Sequence, residues 1–87
     1  MSPAEAKALE QILGYASANR VRFTRHAWLR MAERNIAGED ALFALRTAAS
    51  CSAQANGTWK VPSKDTAGDD LTAIVALEDG ALVVTLF

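Results

Sequence analysis

His26, Arg30 and Arg34 stand at steps of four within Arg25-His26-Ala27-Trp28-Leu29-Arg30-Met31-Ala32-Glu33-Arg34-Asn35-Ile36. Histidine is the side chain that both takes and gives a proton near neutral pH. The planar guanidinium fork of arginine matches phosphate oxygens two at a time. On a helix, each step of four turns only about 40°, so the three side chains form one stripe that joins proton transfer to anion binding. His26 is the only histidine in the chain, and with Arg20 and Arg22 just upstream the region holds five of the six arginines. Outside residues 20–34, four lysines or arginines face nine acids; inside, five arginines face Glu33 alone. A chain of net charge −1 has put its guanidinium groups in one place.

That stripe needs a helix, and the sequence predicts one over residues 25–35. Thr24 suits its N-cap, and Phe23 with Trp28 has the spacing of a hydrophobic staple. Trp28, Met31 and Ala32 fall opposite the stripe and are expected to face inward. Upstream, Ser2-Pro3-Ala4-Glu5 is a capping box with proline at the first helical position, which opens a helix over 3–18. Its apolar residues Ala6, Leu9, Ile12, Leu13 and Ala16 recur at helical steps. Val21-Arg22-Phe23-Thr24 reads as a short extended link or edge strand.

Downstream, Asn35 to Gly38 ends the stripe's helix, and the acids Glu39 and Asp40 suit the start of a third helix over 38–49. Ala41, Leu42, Leu45 and Ala49 give it an apolar side, with Phe43 flanking. Residues 51–55 and 58–62 read as strands about the turn Asn56-Gly57. A polar loop follows, then strands over 70–77 and 81–87 joined by Glu78-Asp79-Gly80. Helices first and an antiparallel meander after them predict an α+β domain, with two to three N-terminal helices on a four-stranded antiparallel sheet. The last strand, Ala81–Phe87, is apolar to its end; as an exposed edge it would invite strand addition and a homodimer.

Size and composition narrow the field. Eighty-seven residues make a single domain 1–87, and 51% apolar with 22% charged residues is an ordinary globule. The one cysteine, Cys51, cannot form an internal disulfide and reads as a small buried thiol. One histidine and one cysteine exclude a recognisable zinc site, so no metal or other cofactor is expected. No segment is apolar enough to cross a bilayer, and the N-terminus lacks a signal-peptide profile, so the expectation is a cytoplasmic protein with no membrane partner. The pI near 5.7 argues against indiscriminate nucleic-acid binding but not against a local basic site.

The segment His26-Ala27-Trp28-Leu29-Arg30-Met31-Ala32-Glu33-Arg34-Asn35-Ile36 resembles the signature H-A-x-x-R-M-x-x-R-x-I of a family of uncharacterised bacterial domains. Gly38-Glu39-Asp40, Trp59-Lys60-Val61 and Leu82-Val83-Val84-Thr85 match the elements that follow it in that family. The resemblance runs from about residue 21 to the end. Two positions depart from the pattern: Ala37 replaces a Ser or Thr cap, and Asn35 replaces a glycine while still tolerating a left-handed helix end. The family is similar to the small metal-independent ribonucleases that include RelE- and BrnT-type toxins and barnase. The resemblance implies helices on one face of a four-stranded antiparallel sheet, a site at the sheet–helix junction, RNA as substrate, and an antitoxin protein as partner of toxin-type members.

Metal-free RNA cleavage needs a base for the 2′-hydroxyl, an acid for the leaving oxygen, and cations for the charge that develops on phosphorus. His26 suits acid or base, Arg30 and Arg34 suit phosphate clamps, and Lys60 supplies a further charge. Thr85 could hydrogen-bond His26 or a phosphate, and Trp28 or Trp59 could stack a base. The same residues have a structural reading: Arg30 paired with Glu33, Arg34 with Glu39 or Asp40, Trp28 in the core and Trp59 packed on the sheet. The alternative function is a non-enzymatic nucleic-acid- or protein-binding module of the same fold.

Overall fold

The computed structural model describes residues 1–87. Three helices, α1 (Pro3–Ser17), α2 (Arg25–Glu33) and α3 (Gly38–Arg46), accompany five strands: β1 (Val21–Phe23), β2 (Ser52–Ala53), β3 (Trp59–Lys64), β4 (Asp70–Leu77) and β5 (Ala81–Leu86). The strands form one mixed sheet in the order β1-β5-β4-β3-β2. Val61, Leu71, Val75, Val83 and Leu86 from the sheet are buried in one cluster with Ile12, Ala27, Met31 and Leu45 from the helices. The helices therefore share one face of the sheet. Because side chains alternate along a strand, Lys60, Ile74, Leu82 and Thr85 are turned to the other face.

The architecture is α+β as expected, but the sheet has a fifth strand. β1 pairs with β5 in parallel, Val21 with Ala81 through Phe23 with Val83. Three residues are too few for periodicity to register; tertiary pairing makes this strand. The pairing also corrects the expectation of a free terminal edge for Ala81–Val83, while Thr85 and Leu86 keep β4 as their one strand neighbour. β5 lies between β4 and β1, so strand addition along Ala81–Val83 is blocked by the chain itself. The true edges are β1 and the two-residue β2, and the stretch of β3 beyond β2 carries Pro62, which cannot donate to a further strand.

The helix ends follow their local chemistry. Ser2 Oγ accepts from Glu5 N–H while the Glu5 carboxylate accepts from Ser2 N–H, completing the capping box. The helices stop short of the expected ends at 18, 35 and 49. α1 and α2 close on Asn19 and Asn35, both left-handed with φ of 61° and 53°. In α2, Ile36 N–H donates to Met31 C=O and Asn35 N–H to Ala32 C=O, a Schellman closure in which Asn35 does the work usually left to glycine. α3 begins at Ala37 with no side-chain cap, as the departure at that position implies. The buried stripes are also rotated from those expected: Ala8 replaces Ala6 in α1, and Ala44 and Ala48 replace Ala49 in and after α3.

Candidate functional site

α2 is held at both ends and along one narrow side. Thr24 Oγ1 accepts from Ala27 N–H at 3.1 Å and donates to Val84 C=O at 2.6 Å. Val84 is the extra residue of a bulge, since Val75 pairs with Val83 and Ile74 with Thr85. One threonine thus caps the helix and anchors it to the irregular point of β5. Arg20 and Arg22, at the start of the arginine-rich window, are spent on the fold. The Arg20 guanidinium donates to Asp79 C=O, pairs with the Asp79 carboxylate at 3.6 Å and lies 5.3 Å from the Tyr15 ring. The Arg22 guanidinium donates to Glu78 C=O. Together they clasp the β4–β5 turn from β1. Gly80 in that turn has φ +116°, and a Cβ there would sit 2.9 Å from Arg20 O.

The remaining cations of the window are free. Arg25, His26 and Arg34 are exposed and Arg30 is half-buried. The protein's two ion pairs are Arg20–Asp79 and Lys64–Asp70, so Arg30 does not pair with Glu33, nor Arg34 with Glu39 or Asp40. Asp40 instead accepts from the Thr66 hydroxyl, which holds its carboxyl below the ordinary value. Two guanidinium groups and the imidazole on a nine-residue helix, with Arg34 at its C-cap, therefore stand close together with no carboxylate engaged. Arg25 and His26 also occupy its first two positions, where backbone N–H groups lack intrahelical acceptors and the helix dipole is positive.

The inner side of α2 differs from the expected one. Ala27 and Met31 are its buried residues, whereas Trp28 is 53% and Leu29 54% exposed. The staple does form, with Phe23 and Trp28 ring centroids 4.8 Å apart. Phe23 lies on the edge strand β1, however, so no further strand covers the outer side of Trp28. Trp28 is thus a correction to the inward reading, and Arg25, absent from the expected set, joins the exposed cationic group. Ala27 and Met31, two apolar residues four apart, form the inward side that is observed.

Lys60 and Thr85 are elsewhere. Lys60 is level with Ile74, and Ile74 with Thr85, so the two form one row across the sheet face opposite the helices. His26, Arg30 and Arg34 belong to a helix packed on the other side; the five expected residues fall into two groups on two surfaces. The one concavity, about 550 Å³ between Phe43, Thr47 and the β3–β4 turn, contains none of them. Cys51 is buried, its thiol directed at Glu5 C=O, and burial pushes it up. No helix is long and apolar enough to cross a membrane.

No family model, curated protein or solved structure matches this chain.

Proposed function

We propose that the protein is an RNA-binding domain that engages phosphate groups through the exposed surface of α2. The observation that carries this reading is the set Arg25, His26 and Arg30 on one nine-residue helix with Arg34 at its C-cap, all free of internal carboxylate partners. In a chain of net charge −1, unpaired guanidinium groups so close together repel one another. Phosphate oxygens relieve that repulsion and fill the forked donors. The surface is convex, which suits tracking a backbone rather than enclosing a small molecule.

A second reading, metal-independent cleavage of the bound strand, is favoured by the position of His26 one turn before Arg30. His26 would take the 2′-hydroxyl proton as that oxygen attacks phosphorus to form a 2′,3′-cyclic phosphate, with Arg30 and Arg34 on the phosphate oxygens and water protonating the 5′-oxygen as its bond to phosphorus breaks. Lys60 and Thr85, on the far sheet face, stand outside this arrangement. The resemblance to small ribonucleases supports the same reading, with an antitoxin as the partner of a toxin-type member.

The test is incubation of purified protein with mixed RNA in EDTA, followed by both gel analysis and filter binding, for wild type, His26→Ala and Arg30→Gln. Retention without cleavage, weakened in Arg30→Gln, is the expected result for a binding domain. Cleavage lost in His26→Ala establishes the second reading. RNA neither retained nor cut rules out both.

A further inference from the structure

We infer that the strand bound by α2 is single-stranded, with one unpaired base stacked on Trp28. The inference rests on the phosphate-binding reading of α2 and adds what that reading leaves open, namely which form of nucleic acid the surface accepts. Trp28 is the only aromatic side chain on this helix, and it is 53% exposed beside free cations. Its ring is backed by Phe23 at 4.8 Å with a 48° tilt. A ring supported on one side and open on the other is a platform held in place before a ligand arrives, and base–aromatic stacking needs that arrangement.

The order of side chains around α2 gives the strand a path. At about 100° per residue, the exposed arc runs from Trp28 past Ala32 to Arg25, about 60° away, then over Leu29 to His26 and Arg30. The one acid on this arc, Glu33, projects beside His26 but about two turns further along the axis. A strand crossing the helix with a base on Trp28 would meet Arg25 next and the His26–Arg30 ridge after it. A duplex keeps its bases stacked inside and offers Trp28 only an edge, so its phosphates would reach the arginines while the indole stayed bare.

Other aromatic groups lack this combination. Trp59 is partly buried and packs against the core. Tyr15 carries the Arg20 guanidinium on its ring. Phe43 lines the concavity between α3 and the β3–β4 turn, which Asp65 also lines.

The experiment uses the full chain carrying Trp59→Phe, which leaves Trp28 as the sole indole, and an unstructured RNA dodecamer alone or annealed to its complement. The expected result is tighter binding of the single strand with quenching of the indole emission. Trp28→Ala should weaken single-strand binding about 5- to 100-fold, with duplex binding and the salt slope unchanged. Trp28→Phe, which keeps a ring, should recover most of the affinity, and this separates stacking from loss of fold. Salt-sensitive binding that favours the duplex, or that is equal in Trp28→Ala, overturns stacking and leaves the phosphate reading intact. Absence of binding to either form overturns both.

Discussion

α2 and α3 are each nine residues long and pack on the same sheet, yet they spend their side chains in opposite ways. α3 buries Ala41, Ala44 and Leu45 and engages two of its three charges. Arg46 Nε donates to Ala16 C=O, and Asp40 accepts from Thr66. α2 buries only Ala27 and Met31, leaves its cations unengaged, and turns Trp28 and Leu29 outward. The difference separates a helix that holds the domain together from one the domain holds out. The caps agree with this division: α3 starts on bare Ala37, its position secured by burial, whereas α2 is fixed by Thr24 through two hydrogen bonds.

If α3 carries stability and α2 carries a surface, core truncation should be felt in the first and hardly in the outer side of the second. Leu45→Ala, at a residue 1% exposed, should cost ~2–5 kcal/mol in urea unfolding. Leu29→Ala, at one 54% exposed, should stay within ~0.5 kcal/mol. Comparable losses at the two sites would break the division. The next effect concerns the clasp that sets β1, and with it the start of α2. Gly80→Ala combines a positive φ with a 2.9 Å approach to Arg20 O and should lose ~1–3 kcal/mol. A neutral result would mean that the turn relaxes freely.

How far these roles could be read from residues alone also differs between the two helices. Capping chemistry was legible: Ser2 and Glu5, Thr24, and Asn35 as a left-handed closure all act as their types predict. The α+β order was legible too, and so was a turn at Asn56-Gly57, with Gly57 at φ +81° and its N–H donating to Gln54 C=O. The strand before it, however, shrinks from the expected 51–55 to Ser52–Ala53, and that after it runs over Trp59–Lys64 rather than 58–62. What local pattern lacked was information about neighbours. β1 exists because β5 lies beside it, and Val21–Phe23 has no periodicity of its own to announce that. Trp28 is outward because its staple partner stands on an edge. The stripe of His26, Arg30 and Arg34 follows from helical geometry, whereas Lys60 and Thr85 could be separated from it only once sheet faces were assigned.

Smaller effects sharpen the contrast between the caps. Thr24→Ala removes the α2 cap and the tie to Val84 and should cost ~1–2 kcal/mol, while Ala37→Ser, at extended backbone before α3, should add up to ~1 kcal/mol. Urea unfolding reads both, and a loss in Ala37→Ser would show that the α3 entry needs its alanine.

Acid should act at Asp40 in α3, as at Glu5 and Asp70, whose carboxyls hydrogen bonds also lower. The Thr66 hydroxyl holds the Asp40 carboxyl below its ordinary value of 3.8. A carboxyl lowered by folding contributes stability above its unfolded pKa, and that contribution is lost as pH falls through the folded one. Asp40→Asn should therefore flatten the acid limb of a stability–pH profile, and an unchanged limb would remove Thr66–Asp40 from the account.

Whether α2 presents cations to a phosphate backbone is read most directly from the salt dependence of RNA binding in wild type and in the triple variant Arg25→Gln, Arg30→Gln, Arg34→Gln. For a single strand the logarithm of the binding constant should fall with the logarithm of salt concentration, at a slope near −0.7 per neutralised phosphate. The triple variant, folded and as stable as wild type within ~1 kcal/mol, should lose about three contacts' worth of that slope and most of the affinity. Wild-type affinity and slope in the folded triple variant would contradict that role for α2.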